Sequence, residues 1–476
     1  MFLWDEVSIT KALGEELLSC PEKLEITNVV FDSRRVIDHS LFVAKKGEKN
    51  DGNDFISDVL ESYETTYVMS SKVPSNVISS DRIILVRDVN VAYEKLALYR
   101  RYQLKSKVIC ITGSLGKTTT KELCYLTLSH FGKASCNIMS FNNYSGLIYT
   151  MVNTPVDTEY AIYEVGIDEC GQMLNLAKLV KPNISIITNI EKAHLGNYKN
   201  LDEIAFEKSE ILKETSEYVI LNRDNKYYDF ISEKAVKLGC KPFSFGSTNF
   251  PNSKLLEFKI NDNLKSEVKY SIFGKEYKVV FNTIDMNIIF NSMSVLTVCK
   301  LLDLNVEEAL SVLSKNAAPV RGRNNLEVVK YTHDNKEIKL NVINGVYNAV
   351  NPKAFDSGFE IMKNDYFKNN RKVCIFGAMA EAGSESKNFH LHIIEKIKEL
   401  KPDIVVLFCP EFEEGCKILL NDGFDVHYYS DADDVIADIK NILNDNDLVF
   451  IKSSKGKKSY KIFNYLSENN KIDLFL

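Results

Sequence analysis

The middle of the chain contains continuous apolar runs separated by stretches with helical periodicity. Such runs occupy residues 107–112, 160–165, 184–188 and 218–221. A run without polar alternation is typical of a strand that is buried on both faces. Strands that alternate with helices in this way favour a doubly wound, mostly parallel α/β sheet. The pattern then becomes β-rich over residues 254–282 and helical over 287–302, so we predict one large α/β unit at 106–318.

The regions on either side of this unit show shorter versions of the same pattern. Residues 1–105 combine short strand-like runs with helical stretches such as 91–102. Beyond residue 318, apolar runs and helical segments alternate again. A length of 476 residues, at roughly 150 residues per domain, is consistent with three domains. We predict an α/β protein with domains at 1–105, 106–318 and 319–476.

Composition narrows the class of protein. Hydrophobic residues make up 45% of the chain and charged residues 26%, which is the ordinary balance of a globular protein. The net charge of −6 and the lack of a basic face argue against a nucleic-acid partner. The N-terminus lacks the basic start of a signal peptide, and we expect no membrane insertion. The ten cysteines are scattered without a CxxC pair, which indicates reduced thiols and a cytoplasmic protein.

A candidate phosphate-binding loop follows the first apolar run of the middle unit. Residues 113–118 read GSLGKT and lie between a predicted strand and a predicted helix. Glycines allow the backbone to wrap closely around an anion, Lys117 can reach the outer phosphates of a nucleotide, and the Thr118 hydroxyl can bind Mg²⁺. The usual GxxxxGK[ST] pattern is incomplete because Ile111 stands where the first glycine is expected. An ordinary tight turn with a chance lysine is the alternative.

Further segments form an ordered set of motifs around this loop. They read FDSRRV at 31–36, ITGSLGKTTTKE at 111–122, YEVG at 163–166, TNIEKAHL at 188–195, EIAFEKSEI at 203–211, GR at 322–323 and YNA at 347–349. Together these segments resemble the Mur ligase family, and the resemblance spans essentially the whole chain.

The resemblance implies a fold and an activity. The fold would have an N-terminal α/β domain that binds a UDP-linked substrate, a central P-loop domain, and a C-terminal Rossmann-like domain that binds the incoming amine and closes over ATP. The activity would be an ATP-dependent ligase that forms an acyl phosphate, which an amine then attacks. The implied reaction adds D-alanyl-D-alanine to UDP-N-acetylmuramoyl-tripeptide in peptidoglycan precursor synthesis, and it uses ATP with two Mg²⁺ ions. We expect the enzyme to be a monomer.

The resemblance also implies roles for individual residues. The implied catalytic residues are Lys117, Glu164, His194 and Lys208. The implied Mg²⁺ ligands are Thr118, Glu164, His194 and Lys208, the last as a carbamate. The implied ATP contacts are Gly113, Ser114, Leu115, Gly116, Lys117, Thr118, Thr119, Asn291 and Arg323. The implied substrate contacts are Ser33, Arg34, Asn142 and Asn143.

The residues by themselves leave simpler alternatives open. Glu164 could be an exposed acid at a strand end, and His194 a packed loop histidine. Lys208 lies between two glutamates and could be a solvated helix lysine. Ser33 and Arg34 could be a turn-capping serine beside a surface arginine.

Several positions depart from the family's pattern near the expected nucleotide and amine sites. The altered positions are Asn287-Ile288, Asn344-Gly345, Ala378 and Ser453 to Lys455. The change at 344–345 replaces an acidic pair, and a lysine at 455 lacks the bidentate fork of an arginine. Two alternative functions therefore stay open. One is a ligase of this kind that joins a different amine to another nucleotide-sugar-linked or metabolite carboxylate, and the other is an inactive nucleotide-binding scaffold.

Overall fold

The computed structural model of the chain describes residues 2–47, 50–75, 77, 81–138, 141–192, 197–248, 250–319, 321–347, 349–380 and 382–467. The strands within these residues form three sheets that follow one another along the chain. Most neighbouring strands in each sheet are parallel, and helices connect them. The predicted α/β class is therefore confirmed. No helix in the described ranges is long and apolar enough to cross a membrane.

The first sheet is formed by the N-terminal region. Its strands are β1 (Leu17–Ser19), β2 (Asn28–Val30), β3 (Ser40–Val43), β4 (Tyr67–Ser70) and β5 (Ile83–Val86), and its helices are α1 (Glu6–Leu13), α2 (Ile56–Ser62) and α3 (Val89–Gln103). The order is β1-β5-β4-β3-β2, with β1 antiparallel to β5 and the other pairs parallel. Helix α3 begins at Val89 because the Asp88 side chain accepts the free N–H groups of Asn90 and Val91.

The second sheet is the largest and contains the candidate phosphate loop. Its strands are β6 (Lys107–Thr112), β7 (Ala134–Cys136), β8 (Tyr160–Glu164), β9 (Ile184–Ile187), β10 (Tyr218–Asn222), β11 (Lys241–Gly246), β12 (Ser253–Ile260), β13 (Ser266–Ile272) and β14 (Lys275–Phe281). Its helices are α4 (Lys117–Phe131), α5 (Tyr144–Val152), α6 (Gln172–Val180), α7 (Leu201–Ser209), α8 (Tyr228–Lys237), α9 (Met286–Leu301) and α10 (Val306–Asn316).

The topology of this second sheet creates a crevice at the carboxyl ends of its central strands. Strand β6 pairs with β8 on one side and with β9 on the other, both in parallel. The chain therefore leaves β6 towards β7 and β8 first, and returns to the other side at β9. Ligands of open α/β sheets bind at such a reversal, beyond the carboxyl ends of the strands. The β-rich stretch predicted at 254–282 forms the antiparallel extension β12 to β14 at the far edge.

The third sheet is formed by the C-terminal region. Its strands are β15 (Asn325–His333), β16 (Lys336–Gly345), β17 (Lys372–Gly377), β18 (Ile404–Phe408), β19 (Val426–Tyr429) and β20 (Leu448–Lys452). Its helices are α11 (Lys353–Lys363), α12 (Ser386–Leu400), α13 (Glu413–Asn421), α14 (Ala432–Ile442) and α15 (Ser459–Leu466). The order is β15-β16-β20-β17-β18-β19, and all pairs except β15 with β16 are parallel.

The three regions differ in how they are joined. The first and second share one hydrophobic core that runs from Trp4 to helix α8, and the Trp4 indole donates a hydrogen bond to Val152 O at 2.8 Å. The third region has a core on each face of its sheet, and one of these cores also includes Ile284 of the second region. The predicted domain boundaries fall between α3 and β6 and between α10 and β15. They stay predictions.

Candidate active site

The candidate phosphate loop connects β6 to α4 and depends on two glycines. Gly113 has a φ of 143°, and a Cβ there would lie 2.0 Å from Thr188 Oγ1. Gly116 has a φ of 81°, in the left-handed region. Both positions therefore require glycine. Gly116 is also the N-cap residue of α4, so no side chain covers the N–H groups of Lys117 and the next two residues. These N–H groups are available to an anion.

The first half of the loop is held by the segment that follows β9. The N–H of Ser114 donates to Asn189 O at 3.0 Å, and the N–H of Leu115 donates to Asn189 Oδ1 at 2.8 Å. The Ser114 hydroxyl exchanges hydrogen bonds with the main chain of Glu191, at 2.8 and 2.9 Å. Asn189 and Glu191 were not among the predicted site residues. Because Asn189 already accepts the N–H groups of Ser114 and Leu115, the free N–H groups at the start of α4 are the ones available to a phosphate.

Lys117 folds back over the loop. Its Nζ donates to Gly113 O at 2.8 Å and to Ser114 O at 3.2 Å. Burial lowers the pKa of Lys117, and the nearby Glu164 carboxylate opposes that shift. A lysine bonded only to carbonyl oxygens can turn towards a stronger anionic acceptor because those neutral contacts are weak. Lys117 is therefore positioned to contact a nucleotide phosphate.

Thr118 Oγ1 and Glu164 Oε2 are buried and lack a hydrogen-bond partner among the described residues, as do the neighbouring Thr112 Oγ1 and Thr120 Oγ1. Of these four atoms, Thr118 Oγ1 and Glu164 Oε2 belong to the predicted Mg²⁺ ligands. Glu164 is the last residue of β8 and is 1% exposed, which excludes the alternative of an exposed strand-end acid. Buried polar atoms normally have partners, and hydroxyl and carboxylate oxygens are ligands that Mg²⁺ accepts. The pair therefore fits a divalent cation.

The Glu164 carboxylate is oriented by a predicted substrate contact. Asn142 Nδ2 donates to Glu164 Oε1 at 2.8 Å. A Cβ on Gly166 would lie 2.7 Å from Asn142 Cγ, so a glycine there allows this contact. Asn143 has a different function in the fold, because its side chain caps α5 by accepting the N–H of Gly146 at 2.9 Å.

Lys208 lies at the same end of the sheet. It belongs to α7 and is 4% exposed, which excludes the alternative of a solvated lysine. Burial holds the pKa of Lys208 well below its usual value of 10.5, and the positive charge of Lys117 adds to the effect. Asp168 and Glu207 oppose the shift, so both acids also lie nearby. His194 falls outside the described residues.

The remaining predicted ATP contacts form a small cavity between the second and third regions. Its volume is about 80 Å³, and its lining includes Leu115, Gly116, Thr119, Asp285, Asn287, Arg323, Asn324 and Lys452. Asn291 is close by, because a Cβ on Gly116 would lie 3.1 Å from its Nδ2. Burial lowers the pKa of Arg323, and Glu164 opposes this shift, so the arginine lies within electrostatic reach of that carboxylate.

Lys452 was not predicted as a site residue, although its segment was singled out. It is 1% exposed and donates to Asn324 Oδ1 at 2.9 Å. Burial and the adjacent Arg323 lower the pKa of Lys452 to about 7. The third region therefore brings two basic groups to the edge of the phosphate loop. Arg323 was a predicted ATP contact, whereas the position of Lys452 beside it depends on the fold, because the two residues are far apart in sequence.

Two larger cavities lie between the first and second regions. One of about 730 Å³ is lined by Glu94, Leu98, Asn143, Tyr144, Ser145, Gly166, Asp168, Gln172, Asn175, Leu176, Lys178 and Leu179. The other, of about 270 Å³, is lined by Val30, Phe31, Asp32, Arg35, Phe141, Asn143, Ser145, Gly146 and Tyr149. In the smaller cavity, Tyr149 contacts Phe31 and Phe141 edge to face, with centroids 5.6 and 5.9 Å apart. This aromatic lining suits a planar ring.

Comparison with known proteins identifies the family. The Mur ligase middle domain matches residues 111–299, and the Mur ligase glutamate ligase domain matches residues 334–455. A UDP-N-acetylmuramoyl-tripeptide–D-alanyl-D-alanine ligase from Rickettsia prowazekii is 30% identical over 97% of this chain and 99% of its own. The chain belongs to the Mur ligase family.

Solved structures of Mur ligases share the fold. A crystal structure of MurF from Acinetobacter baumannii matches with a TM-score of 0.81 and 22% identity, over 98% of this chain and 99% of its own. The structure of MurF ligase from Thermotoga maritima in complex with ADP matches with a TM-score of 0.74 and 24% identity, over 93% and 97%. These structures confirm the predicted fold class. The matches to the family and to its relatives confirm the prediction of an ATP-dependent ligase.

The predicted UDP-side residues of this Mur ligase lie at the edge of the smaller cavity. The Arg34 side chain is 80% exposed and pairs with Asp32 at 2.8 Å, and Ser33 begins the short turn that contains it. The neighbouring Arg35 and Phe31 line the cavity instead. Sequence reasoning missed these two because the direction of each side chain depends on the turn. The roles of Ser33 and Arg34 stay predictions.

One departure from the Mur ligase pattern lies beside a carboxylate. Asn344, which replaces an acid, is fully buried and donates from Nδ2 to Glu327 Oε1 at 2.9 Å. A carboxylate therefore lies beside position 344, on the adjacent strand. Gly345 is required by the contact described above, because a Cβ there would lie 2.5 Å from Asn324 Oδ1. Asn348 of the YNA motif falls outside the described residues.

Proposed function

We propose that this protein joins D-alanyl-D-alanine to UDP-N-acetylmuramoyl-tripeptide, with conversion of ATP to ADP and phosphate, in peptidoglycan precursor synthesis. The observation that carries the proposal is the meeting of four groups at one end of a parallel sheet. They are the unpartnered oxygens of Thr118 and Glu164 and the buried amines of Lys117 and Lys208. The names of the relatives matched over the full chain supply the substrates.

The chemistry requires activation of a carboxylate. The γ-phosphoryl group of ATP passes to the terminal carboxylate of the tripeptide, and the amine of D-alanyl-D-alanine then displaces phosphate from the acyl phosphate. Phosphoryl transfer depends mainly on positioning and on neutralisation of charge. Mg²⁺ would supply charge neutralisation at the phosphate oxygens. Thr118 and Glu164 would hold one ion, and Lys208 as a carbamate, with His194, would hold a second.

The described residues would act from three directions. The N–H groups at the start of α4 bind the phosphates, and Lys117 turns from the carbonyls of its loop to the outer phosphate oxygens. Arg323 and Lys452 approach the same oxygens from the third region. Closure of that region excludes water, which would otherwise hydrolyse the acyl phosphate.

Lys208 is proposed to react with carbon dioxide. Burial lowers the pKa of its amine, which favours the neutral and nucleophilic form. The Nζ–C bond forms, one electron pair of a C=O bond moves to oxygen, and one proton leaves the nitrogen to solvent. Carbon-13 NMR of the protein in labelled bicarbonate tests this. A carbamate resonance is expected in the wild type and not in Lys208→Ala, and a resonance that persists in the variant contradicts the assignment.

The size and lining of two cavities support these substrates. The aromatic cavity beside Phe31 and Arg35 suits the uracil ring and a phosphate of the UDP group, and the cleft of about 730 Å³ suits the muramoyl peptide. This cleft borders Asp168 and Gly166, and Gly166 lies two residues after Glu164 in the chain. Free cysteines and the use of ATP support a cytoplasmic location.

The test is release of phosphate from Mg-ATP with UDP-N-acetylmuramoyl-tripeptide and a panel of amines. Release is expected only with D-alanyl-D-alanine. Thr118→Val, which keeps the shape but removes the hydroxyl, is expected to abolish it. Release that is equal with several amines, or greatest with another amine, would overturn the assigned substrate. No release with any amine would favour the inactive scaffold.

A further inference from the structure

A buried asparagine continues the pairing of strand β7 after that strand ends. The last paired residue of β7 is Cys136, which lies opposite Ile162 of β8. Asn137 follows and is fully buried. Its Oδ1 accepts the N–H of Glu164 at 2.8 Å, and its Nδ2 donates to Glu164 O at 2.9 Å. A primary amide presents an acceptor and a donor side by side as a peptide unit does, so it holds both main-chain groups of Glu164.

The same amide also fixes the segment that contacts the Glu164 carboxylate. Asn137 Nδ2 donates a second hydrogen bond to Phe141 O at 2.9 Å. The next residue is Asn142, whose Nδ2 donates to Glu164 Oε1 at 2.8 Å. Asn137 therefore acts on Glu164 twice. It holds the main chain directly, and it holds the carboxylate through Asn142.

Asn137 is in turn tied to the helix that follows the phosphate loop. Lys121 lies one turn after Lys117 on α4, and its side chain is fully buried. Its Nζ donates to Asn137 O at 2.8 Å. The helix that carries Thr118 is thereby connected to the strand end that carries Glu164. This connection fixes the separation of the two oxygens that would hold a cation.

We propose that Asn137, held by Lys121, is a positioning residue that aims the Glu164 carboxylate at the cation shared with Thr118. The proposal rests on the proposed function in one respect, which is that Glu164 holds a divalent cation. Residues that orient a metal ligand from behind typically account for about 10- to 100-fold in metal affinity. Substitution of Asn137 is thus expected to lower the affinity for the cation by a larger factor than it lowers the rate at saturating cation.

The experiment measures binding of Mn²⁺ to the full-length protein in the presence of ADP, by electron paramagnetic resonance. Asn137→Ala and Glu164→Gln are compared with the wild type. The matched control is Asn183→Ala, because Asn183 Oδ1 accepts the N–H of Val108 at 3.0 Å at the opposite end of the same sheet. The control thus removes a part-buried asparagine–strand contact far from the phosphate loop. The half-saturating Mg²⁺ concentration and kcat are measured in parallel.

The expected result is at least about a tenfold loss of Mn²⁺ affinity in Asn137→Ala and Glu164→Gln, and less than about a twofold loss in the control. Asn137→Ala is also expected to raise the half-saturating Mg²⁺ concentration by a larger factor than it lowers kcat. If Asn137→Ala does not fold, Asn137→Ser, which keeps one short polar group, replaces it in the same comparison.

Three outcomes overturn the inference, and they differ in what they say about the proposed function. Unchanged affinity in the Asn137 variants with weakened affinity in Glu164→Gln rejects the positioning role and leaves the cation site intact. If Asn183→Ala weakens Mn²⁺ binding as much as Asn137→Ala does, the effect comes from a general loosening of the sheet. Unchanged affinity in Glu164→Gln rejects the cation site, and the positioning role with it.

Discussion

A carboxylate at the start of helix α9 should destabilise the fold at neutral pH. Asp285 is 5% exposed, and its side chain caps α9 by accepting the N–H of Asn287 at 2.8 Å. Burial raises the pKa of Asp285 from its usual 3.8 to about 6, although the hydrogen bonds at the helix start oppose the shift. The carboxylate lines the small cavity beside the phosphate loop. Its retention at a stability cost is typical of a residue kept for function.

The size of this destabilisation follows from the two pKa values. Their difference of about 2 corresponds to about 3 kcal/mol, because each pKa unit is about 1.4 kcal/mol. A carboxyl group whose pKa is higher in the folded state binds more protons when folded. Stability is therefore lost as the pH rises from about 4 to about 6, and the full penalty applies above that range. At pH 4 the group is neutral in the folded protein and the penalty is nearly absent.

Asp285→Asn is the perturbation that isolates this charge. Asparagine caps a helix about as well as aspartate, so the hydrogen bond to Asn287 is retained while the charge is removed. We expect the variant to be more stable than the wild type by up to about 3 kcal/mol at about pH 7.5, and nearly equal at about pH 4. The free energy of unfolding is measured in urea at several pH values.

The control is the same substitution at an exposed cap. Asp88 caps α3 and is exposed, so Asp88→Asn should change the stability by less than about 0.5 kcal/mol at either pH. If Asp285→Asn were no more stable than the wild type at neutral pH, burial of the charge would not be the dominant effect. A gain that is the same at pH 4 and pH 7.5 would equally refute the reasoning.

Three further predictions concern the loop, the buried lysine and the contact between regions. Gly113→Ala should abolish the ADP-induced rise in melting temperature, because its Cβ would lie 2.0 Å from Thr188 Oγ1; an unchanged rise would refute this. Lys208→Ala should lower kcat about 100-fold, and added short-chain carboxylates should restore part of it, whereas full activity without them would exclude a role as a carbamate. Lys353→Glu should raise the KM for ATP several-fold at low salt and less at high salt, because Lys353 pairs with Glu191 between the third and second regions at 2.5 Å. A KM that responds neither to the substitution nor to salt would show that this pair does not assist closure.

The central strands of the second sheet were predictable because they are buried on both faces. Strands β6, β8, β9 and β10 read as continuous apolar runs, and each lies within a few residues of its predicted position. The order of those strands could not be predicted, since nothing in a run states which neighbour it pairs with. The hairpin β15–β16 was missed, because its many charged residues give a weak apolar signal over residues 325–345.

The phosphate loop was predictable from a short stretch of sequence. Gly113 and Gly116 supply the positive φ angles, and Lys117 and Thr118 follow at the helix start. The contacts with Asn189 and Glu191 that hold the loop are not local and were not predicted. The environment of each side chain was not local. The burial of Lys208, which lowers its pKa, comes from elements packed around α7.

The contacts that orient the site belong to the tertiary structure alone. Asn137 meets Glu164 across 27 positions, and Lys452 meets Asn324 across 128. The backbone conformation of a residue depends largely on that residue and its neighbours, so the turn of the phosphate loop could be predicted from its own sequence. Burial and hydrogen bonding between distant residues depend on how the sheets and helices pack, and that packing exists only once the whole chain has folded.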